Sequence, residues 1–119
     1  DLYASVSWTG YSSRPEMLEK ALEHSLLVLA SVDGNRLVGL LRAVGDGYSI
    51  IFIQDILVLP AYQRQGIGRN LLEQAISHFP GIYQLHLLTD NAEKTRSFYE
   101  ALGFTAVDSL GCVAYTYLK

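Results

Sequence analysis

Residues 58–72 read Val-Leu-Pro-Ala-Tyr-Gln-Arg-Gln-Gly-Ile-Gly-Arg-Asn-Leu-Leu, and the order of residue types defines a binding chemistry. An apolar strand stops at Pro60, a short basic loop delivers Gly66 and Gly68, and an amphipathic run opens behind them. A helix beginning there leaves its first N–H groups without internal carbonyl partners, at the positive end of the macrodipole. Glycine lets an anion approach the main chain with no Cβ in the way. Arg64 and Arg69 add charge-assisted hydrogen-bond donors. The run Arg64, Gln65, Gly66, Ile67, Gly68, Arg69 therefore reads as a pyrophosphate cradle.

Proton-moving residues are fewer. Ile51 to Val58 reads as a buried central strand, and Gln54 and Asp55 interrupt its apolar run. A carboxylate placed there must be paired or must shed its charge on desolvation. Asp55 can thus be a general base, an anchor for an ammonium group or a structural hydrogen-bond acceptor. His86, among Leu85, Leu87 and Leu88, is the second candidate base. Cys112 is the only cysteine, with no neighbour to activate it, and packing is its plain reading. The histidines and carboxylates show no metal-ligand spacing, so no metal site is expected.

These residues need a scaffold. Ser13 and Glu16 stand at capping-box spacing with Pro15 in the first turn, and Leu18, Ala21, Leu22 and Ser25 continue at helical spacing. The run Leu26 to Val32, the Asp33-Gly34 turn and Leu37 to Val44 predict a hairpin. A turn at Asp46-Gly47 leads to Ser49–Leu59, which completes a three-stranded antiparallel meander. A helix follows from Gly66 to about His78, with Ile67, Leu71, Leu72, Ala75, Ile76 and Phe79 on one broad face. Pro80-Gly81 ends it, and Ile82 to Thr89 returns as a strand, which makes a βαβ unit with a parallel pair. Asp90 and Glu93 are placed to cap the next helix, and Gly103 to end it. Thr105 to Leu110 and Cys112 to Leu118 predict a closing hairpin around Gly111.

Two phosphate-loop patterns are excluded. A P-loop needs Lys and Ser/Thr after its second glycine, where Arg69 and Asn70 stand, and a dinucleotide fingerprint needs a third glycine where Leu71 stands. Gln63 to Gly68, read as Gln/Arg-x-x-Gly-x-Gly/Ala after a strand ending Val-x-Pro, resembles the acetyl-CoA loop of the GNAT superfamily of N-acetyltransferases. Phe98-Tyr99-Glu100-Ala101-Leu102-Gly103-Phe104 is similar to that family's Phe-Tyr-x-x-x-Gly-Phe signature. Together the two motifs cover roughly the second half of the chain, while the first half matches in strand pattern only.

The resemblance implies an α/β (α+β) fold with a GNAT-like mixed central sheet: an antiparallel meander plus a parallel βαβ pair, helices on both faces, and the usual first strand missing. It implies an acetyl-CoA-dependent N-acetyltransferase that passes the acetyl group from the thioester directly to a primary amine. The diphosphate would sit on Arg64–Arg69 and the pantetheine arm on the main chain of Ile56, Leu57 and Val58, with the N–H near Val58 polarising the carbonyl. Tyr99 would protonate the leaving thiolate. An asparagine that binds the cofactor usually stands seven residues before that tyrosine; here Ala92 occupies the place and Asn91 is one residue early. Trp8, Tyr11 and Tyr3 cluster where the family forms one wall of the acceptor cleft.

Composition bounds the rest. With 119 residues, half of them hydrophobic and 18% charged, residues 1–119 are expected to form one domain with a packed core. A net charge of -3 argues against nucleic acid as a partner. No apolar run of about 18 residues occurs, so no membrane partner is expected, and the single cysteine fits the cytoplasm. The partners expected are acetyl-CoA and an amine-bearing acceptor, with a homodimer left open. A second reading is an acyl-CoA-binding sensor or partner module without efficient catalysis. A nucleotide-binding domain is a third, weakened by the absent Lys-Ser/Thr pair.

Overall fold

The computed structural model describes residues 13–119. They form two units, one running through Leu88 and one from Thr89 to Lys119. The first holds helix α1 (Pro15–Glu23), strands β1 (Leu27–Asp33), β2 (Arg36–Gly45) and β3 (Ile50–Val58), a 3-10 turn (Pro60–Tyr62), helix α2 (Ile67–His78) and strand β4 (Gln84–Leu87). The second holds helix α3 (Glu93–Ala101) and a 3-10 turn (Val107–Leu110). The strand order is β1-β2-β3-β4, antiparallel except for the parallel β3–β4 pair that α2 connects. The mixed sheet is the one expected from the meander and the βαβ unit.

The sheet buries residues on both faces. Val38, Leu40, Leu57 and Leu59 form one cluster, against which Leu18 of α1, Tyr62 of the 3-10 turn and Ile67 of α2 pack. Each fully buried side chain of this size stabilises the fold by roughly 1.5–3 kcal/mol. Gly39 makes that contact close: a Cβ there would stand 3.0 Å from Ile67 Cγ2. The first residue of α2 is thus pinned to β2. Leu71, Leu72 and Ala75, further along the expected helix face, are buried with Leu41, Ala43, Ile51 and Ile53, whereas Ile76 lies at the exposed margin.

Three local expectations are corrected. The N-cap of α1 is Arg14 and carries no side-chain cap bond, because Pro15 takes the first helical position and moves Glu16 out of capping-box spacing. Strand β4 is shorter than expected, Gln84–Leu87. The closing hairpin does not form. Ser109, Gly111 and Cys112 donate their N–H groups to the carbonyls of Ala106, Asp108 and Val107, so local turn bonds take the backbone groups that one strand would have used. Residues 112–119 carry no strand. Among the described residues no helix is long and apolar enough to cross a membrane.

Candidate functional site

The loop between β3 and α2 is held at both ends. Tyr62 donates its hydroxyl to Asp33 Oδ2 at 2.7 Å, and the Arg36 guanidinium lies over its ring at 5.7 Å. That hydrogen bond is the main cause of the raised Tyr62 pKa. The 3-10 turn is thereby tied to the β1–β2 hairpin. Gln63 Nε2 donates to Val58 O at 3.1 Å and Gln65 Nε2 to Ala61 O at 3.4 Å, which folds the loop back on its own strand.

Arg64, at φ 65°, is the one non-glycine residue with positive φ among the described residues, and Gly66 follows at φ 83°. A left-handed conformation costs a side-chain-bearing residue roughly 1–2 kcal/mol, and such strain concentrates at functional sites. Gly66 is the N-cap of α2, with no side-chain cap bond, and its carbonyl accepts the first helical bond from Asn70 at 3.0 Å. The N–H groups of Ile67, Gly68 and Arg69 therefore precede the helical ladder at the positive end of the dipole. Among the described residues, a Cβ on Gly66 would meet nothing within 4 Å, so the space beside this N-cap is open. That geometry fits a diphosphate. Both arginine side chains are exposed, and Arg69 also makes a solvated ion pair with Glu73 at 3.5 Å.

Strand β3 outruns its parallel neighbour. Pairing with β4 stops at Ile53↔Leu87, while pairing with β2 continues to Val58↔Gly39. Beyond Ile53 the β4 side of β3 is open among the described residues. Leu59 donates to Val38 O on β2 at 2.8 Å, so strand alternation turns Leu59 and Leu57 toward β2, and Ile56 and Val58 toward the opening. The Val58 carbonyl is taken by Gln63, which leaves its N–H pointing into the gap. The main chain of Ile56 and Val58 thus faces the opening, and that of Leu57 faces β2.

Asp55 is 1% exposed and Arg42 6%. They are direct cross-strand partners beside the irregularity at Arg42/Ala43, and Arg42 Nε donates to Asp55 Oδ2 at 2.7 Å. Arg42 also reaches Ser25 Oγ at 3.4 Å, and that hydroxyl donates to Ala21 O at 2.6 Å. The Asp55 carboxylate is thus paired within the sheet. Arg42 was missed from the sequence, though a lone arginine in the apolar run Leu37–Val44 mirrors the Asp55 interruption. His86 is half-buried in β4, opposite Phe52.

In the second unit, the aromatic motif is a helix stop that fixes Tyr99. Gly103 N–H donates to Glu100 O at 3.0 Å, and Phe104 N–H to Tyr99 O at 3.0 Å. This is a Schellman motif with Gly103 at φ 95°, as its place at the helix end predicts. The Phe104 ring meets Tyr99 edge-on at 5.7 Å, and Phe98 does so at 5.0 Å. Burial, then the Asp90 charge, push the Tyr99 pKa up, with a hydrogen bond to Thr89 opposing them. The hydroxyl is thereby held protonated. Asp90 accepts from Ala92 N–H at 2.9 Å, the main cause of its lowered pKa, and it stands just before the N-cap, Ala92. Asn91 is exposed beside it. Tyr3, Trp8 and Tyr11 lie outside the described residues. Among those described, no group of histidines, cysteines and carboxylates is placed to hold a metal.

Known proteins show the same organisation. Residues 23–106 match the acetyltransferase (GNAT) domain family. A GNAT-family acetyltransferase from Streptococcus pneumoniae TIGR4 superposes with a TM-score of 0.90 at 43% identity, covering 99% of this chain and 86% of that one. Histone acetyltransferase TAP1 of Glycine max is 36% identical over 120 residues, which is 89% of this chain and 51% of that protein. Serotonin N-acetyltransferase 2 of Oryza sativa, a chloroplastic protein, is 33% identical over 93 residues, 75% of this chain and 46% of its own length. The chain spans about half the length of these two curated relatives. With the family matched over most of its length, and with the mixed sheet that family builds, the chain belongs to the GNAT family of acetyltransferases.

Proposed function

We propose that the chain is a single acetyltransferase domain that transfers the acetyl group of acetyl-CoA directly to a primary amine. The carrying observation is the open β3 edge at Ile56 and Val58, which runs into the uncapped N-terminus of α2 with Gly66 facing empty space. The diphosphate is assigned to the Gly66–Arg69 amides with Arg64, Gln65 and Arg69 around them, and the pantetheine amides to the β3 edge. The Val58 N–H polarises the thioester carbonyl. The neutral amine attacks the carbonyl carbon, the C–S bond breaks, and the thiolate takes a proton from Tyr99, which solvent restores.

The amine's proton goes to a base, for which Asp55 is the first assignment and His86 the second. Arg42 fixes the plane of the Asp55 carboxylate through Oδ2. Asn91 is assigned a contact to the cofactor from the start of α3. The acceptor is a primary amine. A lone exposed cysteine fits a reducing compartment, cytoplasmic or, as for the rice relative, plastid. Thiol release from acetyl-CoA, followed across a panel of small amines, polyamines and peptide N-termini, tests the reading. Turnover with at least one amine is expected. Acetyl-CoA binding with no turnover on any of them would favour the acyl-CoA-binding module.

A further inference from the structure

The loop that carries Arg64 and Gly66 is fastened at two points, one on each side of it. Behind it, Ile67 packs against Val38, Leu40, Leu57 and Leu59 and meets β2 at Gly39. Ahead of it, Tyr62 packs against the same cluster. The Tyr62 hydroxyl then reaches the β1–β2 turn, where Asp33 and Arg36 are the last cross-strand pair. Asp33 accepts the O–H at 2.7 Å while the Arg36 guanidinium covers the ring, so an anion holds the tip of this side chain and a cation its face. The side-chain bonds of Gln63 to Val58 O and of Gln65 to Ala61 O are local, and Gly66 adds no side-chain cap. Among the described residues, Tyr62 is thus the hydrogen-bonding side chain that ties this loop to a part of the chain distant in sequence.

Arg64 needs that support. It stands two residues after Tyr62 at φ 65°, a conformation that persists only where the surroundings impose it. With Tyr62 and Ile67 both held, the residues between them have little freedom, and the loop is ordered before any ligand arrives. An ordering cost met during folding is not met again on binding, so it appears as affinity. We propose that Asp33, Tyr62 and Arg36 form a latch that shapes the cradle at residues 64–69 in advance and so sets the affinity for acetyl-CoA, resting on the assignment of the diphosphate to that cradle. Tyr62 is a positioning residue, acting through the backbone it precedes, and the β1–β2 turn becomes a control point for the cofactor site.

Tyr62→Phe keeps the ring on its cluster and removes the bond to Asp33. Isothermal titration of acetyl-CoA should show about five- to tenfold weaker binding, with the melting temperature of the free chain within about 2 °C of wild type. Amide exchange over residues 64–70 of the free chain should quicken while β2 and β3 keep their protection, a pattern that general destabilisation does not produce. Asp33→Ala should weaken binding to the same degree and carries the test if Tyr62→Phe does not fold. The double change Asp33→Ala/Tyr62→Phe should bind no more weakly than either single change, because both remove one shared interaction. Wild-type affinity in either folded single variant would overturn the latch and leave the cradle standing. So would losses that add in the double variant, or weaker binding with unchanged exchange in the loop, which would make Tyr62 a direct ligand contact. A wild-type chain that does not bind acetyl-CoA would overturn the latch and the acetyl-CoA site together.

Discussion

Tyr99 and Asp55 are both ionisable groups withdrawn from water, and their neighbours hold them in different ways. Burial and the Asp90 charge raise the Tyr99 pKa, so the neutral hydroxyl is favoured in the folded chain. Its contribution to stability is complete below the ordinary tyrosine value near 10 and is lost as pH rises through the higher folded value. Turnover should accordingly show no basic limb from Tyr99 until above about pH 10. Tyr99→Phe should lower turnover at least about tenfold and leave acetyl-CoA affinity within about twofold, read by steady-state kinetics and titration. Asp55 is locked to Arg42, so Asp55→Asn removes the carboxylate charge from a buried ion pair and should cost about 3–5 kcal/mol in urea unfolding. The double change Arg42→Met/Asp55→Leu should recover most of that. If Asp55 is the base, the surviving Asp55→Asn enzyme regains activity at high pH, where more amine arrives neutral. The sequence exposed Asp55 because a charge interrupts an apolar strand. It concealed Arg42 because a cross-strand pair depends on the register, which shifts at that point.

At the scale of elements, two backbone devices position the chemistry. Gly66 at φ 83° opens α2 toward empty space. Gly66→Val should lower stability by roughly 1–2 kcal/mol through left-handed strain, and should abolish acetyl-CoA binding because the new side chain fills the ligand's space. Normal binding by a folded Gly66→Val chain would place the cradle elsewhere. The Schellman stop at Gly103 sets the Tyr99 ring against Phe104. Phe104→Leu should therefore reduce turnover more than it reduces acetyl-CoA affinity, as expected when the proposed proton donor loses its edge-on support. Both glycines were legible, since each stands where a helix must start or stop. The last hairpin was not, because alternation and a central glycine cannot report that Val107–Leu110 satisfies its backbone within a 3-10 turn. The α1 capping box failed for a similarly local reason, the proline that took its first position.

For the whole molecule, the order of helix, three strands, helix, strand and helix was readable because helical and strand periods alternate with unambiguous turns, and the sheet order followed from short connections. What periodicity could not supply was the length of β4, and with it the open side of β3 that makes the proposed pantetheine edge. This open edge and the α2 N-terminus are proposed to form one acetyl-CoA site. Isothermal titration of acetyl-CoA into the wild-type chain tests it most directly. One site per chain with micromolar affinity is expected, with a matching rise in melting temperature at saturation. No binding heat and no thermal shift at millimolar acetyl-CoA would contradict it.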